Sequence, residues 1–301
     1  MSFRSGTVAL IGRPNAGKSS LLNVLVGEPI AAVSKRPQTT RNRVLGLWNT
    51  DQMQVVLLDT PGIHEPWTEL NRRLVAAAEL AISEVDLVLW IIDVVPLVEA
   101  VAKGLPALDE AAAEVRRRIE GKPVVVVLNK VDLVEKPALL PVLGELGVLG
   151  ELVPLSALKR KGLATLAKVV ASRLPIQEAL YPTDQLTDIP EKFIVAELIR
   201  ERVFENCGQE VPYATAVEVE RFDESKRDQG RIHIHARIIV EKDSQKAILI
   251  GKGGSMVKRI GTEARKRISR LLDADVRLDL FVAVEKDWTK NPRMLKEQGI
   301  V

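Results

Sequence analysis

Apolar residues come in short, nearly unbroken runs through the first part of the chain, around residues 6–11, 43–49, 53–59, 85–93, 123–128 and 151–155. Runs of this length fit strands covered on both faces, and stretches with helical spacing lie near 18–26, 67–83, 106–120, 136–146 and 162–173. The link Thr50 to Met53 is too short for a helix, so the second and third strands are expected to form a hairpin. Each later strand is separated from the next by a helix, as parallel pairing requires. This predicts a doubly wound, mostly parallel α/β sheet over residues 1–175, with its ligand loops after strand C-termini. The pattern then changes: Pro175, Pro182 and Pro190, with few apolar repeats between them, mark residues 176–190 as a linker. Beyond it, a helix from Glu191 to Phe204 precedes alternating strands at Ala214 to Glu220 and Arg231 to Val240. A second helix over Ser244 to Ile250, a third, Ser255 to about Leu272, and a strand, Val276 to Val284, complete a smaller α+β domain over 191–285, with a tail at 286–301.

Composition narrows the class. At 301 residues with 46% hydrophobic content the chain is long enough for two cores. Cys207 is the single cysteine, which excludes an internal disulfide or a cysteine metal cluster and suits a reducing, cytoplasmic setting. Met1 to Ser5 runs straight into the first strand, so no leader is expected. The apolar stretch Val85 to Val98 is broken by Asp86, Asp93 and Pro96 and is too short to span a bilayer. Net charge is only +3, so any nucleic-acid contact must rest on a local patch.

Candidate chemistry begins after the first strand. Gly12, Arg13, Pro14, Asn15, Ala16, Gly17, Lys18 and Ser19 fit G-x-x-x-x-G-K-[ST], with Ser20 opening the helix behind them. In that context backbone N–H groups cradle phosphates, Lys18 reaches the terminal ones and the Ser19 hydroxyl ligates Mg2+. Asp59, Thr60, Pro61 and Gly62 end the third strand; Asp59 is placed to hold Mg2+ through water, and the Gly62 N–H to meet the terminal phosphate. Asn129, Lys130 and Asp132 form N-K-x-D directly after the strand Val124 to Leu128. A carboxylate there accepts from guanine N1–H and the 2-amino group, donors that adenine lacks, while Asn129 meets the Hoogsteen edge and the Lys130 stem covers the ring. Those four residues arise by chance in roughly one chain in twenty-five, so the order and spacing of the motifs carry the weight. Ser156 and Ala157, after the last strand, occupy the place of a further base loop. Between the first helix and second strand, Thr40, with Thr39 as its rival, is the residue to ligate Mg2+ and cover the terminal phosphate. An ATP-dependent metabolic kinase, the rival reading of the phosphate loop, should lack N-K-x-D.

The second domain has its own signal. Ile250, Gly251, Lys252, Gly253 and Gly254 give I-G-x-x-G at the start of a helix, and Lys258, Arg259, Arg265, Lys266, Arg267 and Arg270 follow against Glu263 alone. Such a loop lets a nucleic-acid backbone approach the main chain at a helix N-terminus, and the element order is that of a type II KH domain. The segment lacks the spacing and the Lys-Ser pair of a second phosphate loop. Ile250, Gly251, Lys252, Gly253, Gly254, Lys258, Arg259 and Arg265 are therefore the RNA candidates. His233 and His235 lie two apart on one strand and face the same side. With no third ligand spaced near them, they are expected on a solvent or RNA face and not at a metal.

With these motifs in place, the first 175 residues resemble the translation-factor-related P-loop (Ras-like) GTPases. The wording G-R-P-N-A-G-K-S, Q-T-T-R, D-T-P-G and N-K-V-D is most similar to the Era family, and the likeness extends through the KH domain and tail. The resemblance implies a GTPase of slow intrinsic rate that binds GTP and GDP and assists assembly of the small ribosomal subunit. It would bind single-stranded ribosomal RNA near the 3′ end. Peripheral contact with the cytoplasmic membrane face belongs to the same implication, and nothing in the chain calls for an obligate oligomer. Ile63 stands where Ras-like proteins carry a water-orienting glutamine, and His64 beside it is read as an exposed loop residue. In similar proteins an asparagine at the place of Asn15 helps hold K+, which acts like an arginine finger. The catalytic residues so implied are Lys18, Thr40, Gly62 and, through K+, Asn15.

Overall fold

A computed structural model of the protein describes residues 2–33, 44–59, 85–119, 121–208 and 210–297. The chain divides into two compact units, the main division falling after Asp188.

The first unit is built on a six-stranded sheet. Its strands are β1 (Arg4–Ile11), β2 (Val44–Asn49), β3 (Met53–Asp59), β4 (Leu87–Asp93), β5 (Val124–Asn129) and β6 (Leu152–Pro154), in the order β2-β3-β1-β4-β5-β6. Only β2 and β3 are antiparallel; the rest pair in parallel. The hairpin follows from the short Thr50–Gln52 link, where the Thr50 hydroxyl accepts from Met53 N at 3.0 Å. The central strands are the apolar ones: Val8 to Ile11, Leu87 to Leu89 and Val125 to Leu128 are all buried, as strands covered on both faces must be. Strand order reverses beside β1, and open α/β sheets bind ligands at such a switch point. The described helices are α1 (Lys18–Val26), α2 (Val94–Ala102), α3 (Glu110–Arg118), α4 (Lys136–Leu146) and α5 (Leu163–Arg173).

Two features differ from the expectation. Helix α2 falls where no element is expected, between the strand ending at residue 93 and the helix near 106–120, and it continues the apolar run of β4. Asp93 divides the run, its carboxylate capping the helix through Val95 N at 3.1 Å, and Pro96 falls in the first turn, where no N–H is needed. Residues 177–187, read as linker, are hydrogen-bonded to the first unit. Gln54, wholly buried, donates from Nε2 to Tyr181 O at 2.8 Å and accepts from Tyr181 N at 2.8 Å. Leu47 N donates to Leu186 O at 2.8 Å and Asn49 Nδ2 to Gln185 O at 3.0 Å, so the outer edge of β2 is covered. The helix expected near 67–83 lies outside the described residues.

The second unit packs α6 (Glu191–Asn206) and α8 (Ser255–Leu271) against one face of a three-stranded sheet, β7 (Ala216–Lys226), β8 (Arg231–Val240) and β9 (Asp275–Val284). Strands β7 and β8 are antiparallel, β8 and β9 parallel. Alternation sets the faces: Ile232, Ile234, Ala236 and Ile238 are buried, as are Ile260, Ala264 and Ile268 on one stripe of α8. Helix α7 (Asp243–Ile250) leads into the glycine loop. A last helix is α9 (Pro292–Glu297), and before it the buried Trp288 donates from Nε1 to Ala214 O at 2.9 Å.

Candidate nucleotide site and nucleic-acid groove

The parallel register brings the site residues to one edge of the first sheet. Leu10 pairs with Asp59, Ile11 with Trp90 and Asp93 with Asn129, so the phosphate loop, Asp59 and N-K-x-D all leave the sheet at neighbouring C-termini. The loop turns through Asn15 at φ 64° and Gly17 at φ 98°. Gly17 is obligatory on two counts: its left-handed backbone, and a Cβ that would lie 2.2 Å from Asn129 Nδ2. The first helical hydrogen bond of α1 runs from Leu21 N to Gly17 O, so the amides of Lys18, Ser19 and Ser20 precede the helix ladder at its positive end.

Lys18 is buried, and its Nζ donates to Gly12 O and Arg13 O, each at 3.1 Å. Burial pulls the ammonium below the usual lysine range, and the Asp59 charge opposes that shift. A buried cation held mainly by loop carbonyls suits a site completed by an anion. Ser19 Oγ donates to Asp59 Oδ2 at 2.5 Å, and Asp59 is wholly buried. Hydroxyl and carboxylate are hard oxygen donors, which fits Mg2+ and not a soft metal. Arg13 is exposed and pairs with Asp109 at 2.6 Å, while Pro14 and Ala16 complete the loop, with Ala16 N donating to Arg13 O.

Asn129 joins two loops. Its Nδ2 donates to Ala16 O at 2.9 Å and its Oδ1 accepts from Ala157 N at 3.0 Å, leaving the second Nδ2 hydrogen for a ligand. Lys130, at φ 67°, sends Nζ to Asp93 Oδ2 at 2.5 Å, which fixes the stem expected to cover a base. Asp132 lies on the turn Val131–Leu133, and Ser156, fully buried, holds its loop by accepting from Lys159 N at 3.1 Å. Asp93 is the residue that motif reading misses; its position after an apolar strand, in register with Asn129, is the signal. Thr39, Thr40, Thr60, Pro61, Gly62, Ile63 and His64 lie outside the described residues.

In the second unit, Gly251, Gly253 and Gly254 all take positive φ, at 69°, 59° and 77°, and Lys252 is exposed between them. Beside this loop a groove of about 360 Å³ runs between α8 and β9, lined by Val257, Lys258, Gly261, Thr262, Arg265, Leu278 and Leu280. Lys258 and Arg265, about two turns apart on α8, thus both line its helix side. Arg259 is not among the lining residues; its guanidinium lies 3.3 Å from Met256 Sδ. Charge alone does not separate these residues, whereas the spacing of 258, 261, 262 and 265 along a helix does.

A family model described as a 50S ribosome-binding GTPase matches residues 7–130, and a KH domain model matches residues 210–289. The chain is 48% identical to GTPase Era of Geotalea uraniireducens over 300 residues, covering 99% of this chain and 98% of that one. It is 49% identical to GTPase Era of Geobacter metallireducens over 302 residues, with the same coverage. Among solved structures, a variant of Aquifex aeolicus Era bound to GDP·AlF4− superposes with a TM-score of 0.91 at 34% identity, covering 99% of this chain and 100% of that chain. Era in complex with MgGDPNP and nucleotides 1506–1542 of 16S ribosomal RNA superposes with a TM-score of 0.90 at 34% identity, covering 99% of both chains.

Proposed function

The chain belongs to the Era family of GTPases, and from that premise we propose that it uses its nucleotide state to time engagement with single-stranded RNA at the 3′ region of the small-subunit ribosomal RNA. It is an enzyme that converts GTP to GDP and phosphate. The observation that carries the RNA reading is one chain joining the phosphate loop and N-K-V-D to a positive-φ glycine loop beside a groove lined by Lys258 and Arg265. The relative solved with a 16S fragment supports the choice of RNA.

In this reading residues 1–175 bind GTP, 176–190 link, 191–285 bind RNA and 286–301 form the tail. Gly12 to Ser20 cradle the phosphates, Lys18 neutralises the terminal one, and Asp132, with Asn129 and Lys130, selects guanine. Ser19 and Asp59, with Thr40 from outside the described residues, are the groups to hold Mg2+, as the MgGDPNP of the solved relative suggests. The ion, when bound, offsets charge on the β and γ oxygens. Asn15 serves hydrolysis by helping to hold K+, and the Gly62 N–H meets the terminal phosphate. Its work is placed in the cytoplasm, with membrane contact only peripheral; no helix among the described residues is long and apolar enough to cross a membrane.

Electrophoretic titration of the full chain with GDPNP against three strands of equal length tests the target. The 16S 3′ segment should bind about tenfold or more tightly than a shuffled strand, a gap of about 1.4 kcal/mol. A preference for a large-subunit strand would instead follow the wording of the matched GTPase family. Equal binding of all three would leave only backbone recognition.

A further inference from the structure

We propose that His233, His235 and Asp279 form a site for one divalent late first-row transition ion, with Zn2+ as the reference ion, on the outer face of the β7–β9 sheet. The sequence offers only two of these ligands together, and pairing of β8 with β9 supplies the third by setting Asp279 opposite His235. Asp279 Oδ2 lies 2.7 Å from His233 Nε2 and 3.8 Å from His235 Nε2. The two imidazoles stand 4.2 Å apart, and the three ligand atoms all lie within 4.8 Å of one another. Zinc bonds of about 2.0–2.1 Å put tetrahedral ligands about 3.4 Å apart, and the two separations from Oδ2 lie on either side of that value.

The chemistry of the set agrees with this geometry. Two imidazoles and one carboxylate suit Zn2+ and its neighbours, whereas Mg2+ and Ca2+ prefer oxygen alone. A cross-strand hydrogen bond would need one histidine; here both converge on one oxygen. Arg277 Nε sits 3.5 Å from Asp279 Oδ1, the other oxygen of the carboxylate. Of the other cations near the set, Arg221, opposite His235 in register, pairs with Asp223 at 2.6 Å, and Arg237, next on the same face of β8, pairs with Glu218 at 2.7 Å, while Arg231 and Lys226 line the groove beside His233. Side-chain exposures of 31%, 34% and 40% leave an ion open to water at its remaining position. All three ligands stand on strands, so little ordering is needed on binding.

The untagged full chain, stripped with chelator and kept in millimolar Mg2+ with GDP to fill the nucleotide site, would be titrated with Zn2+ against a chromophoric chelator. One equivalent should bind at micromolar Zn2+ or below, and the melting temperature should rise with Zn2+. His235→Asn and Asp279→Asn, each with circular dichroism and GDP affinity unchanged, should weaken binding at least about tenfold, since even outer-shell losses cost 10–100-fold, and should abolish the thermal shift. Absence of micromolar binding by the parent, or equal binding by the parent and both variants, would overturn the assignment.

Discussion

At the scale of single residues, base choice should rest on Asp132, because only guanine offers a carboxylate two N–H donors. Replacing it by asparagine removes a charged acceptor, at about 1.5–3 kcal/mol per hydrogen bond lost. Asp132→Asn should therefore weaken GDP at least about tenfold and admit xanthosine diphosphate, whose extra carbonyl an amide can meet. Equal weakening toward both nucleotides in a fluorescence titration would exclude that pairing. Asn15, exposed at φ 64° in the phosphate loop, bears on hydrolysis. Single-turnover GTP hydrolysis should be faster in K+ than in Na+, and Asn15→Ala should remove the difference; parent rates equal in both salts would sink the K+ reading. In the RNA loop, Gly253 has φ 59° and a Cβ there would meet nothing within 4 Å, so aspartate adds charge without a clash, at the cost of holding an L side chain in a left-handed backbone. Gly253→Asp should lower RNA affinity strongly and leave RNA-free GTP hydrolysis unchanged. Lys258→Ala should instead reduce the salt slope of binding by about 0.7. Filter binding across several salt concentrations separates the two effects.

At the scale of elements, the sheet positions the chemistry and the segment 177–187 covers its edge. Gln54 makes that connection on both of its polar atoms, to the N–H and C=O of Tyr181. Gln54→Leu keeps the bulk and strands both backbone groups, so the first unit should lose about 1–3 kcal/mol, seen as a lower urea midpoint at unchanged slope. An unchanged midpoint would mean that the segment contributes nothing to the stability of the unit. Elements were legible where one period ran unbroken, as in Val124–Asn129 or the Ile260, Ala264, Ile268 stripe. Helix α2 was not, because Asp93 joins a buried strand to an equally apolar helix and composition does not change across it. Nor was the covering of β2, which depends on backbone hydrogen bonds that carry no side-chain signature.

At the scale of the whole molecule, the motifs of both units could be read because each needs fixed residue types at fixed spacing. Contacts between distant residues could not: Asn129 joining Ala16 to Ala157, Asp93 holding Lys130, and Asp279 meeting the two histidines all arise from register. Nucleotide control of RNA binding is likewise a property of the whole chain, and by linkage it must act in both directions. The full protein, saturated in turn with GDPNP and GDP, should be titrated with the 16S 3′ strand under one salt condition. Affinity should be higher by about 5–150-fold in the GDPNP state, the ordinary range of such coupling, and Gly253→Asp should abolish the gain. Equal affinity in the two nucleotide states would contradict GTP timing of RNA engagement.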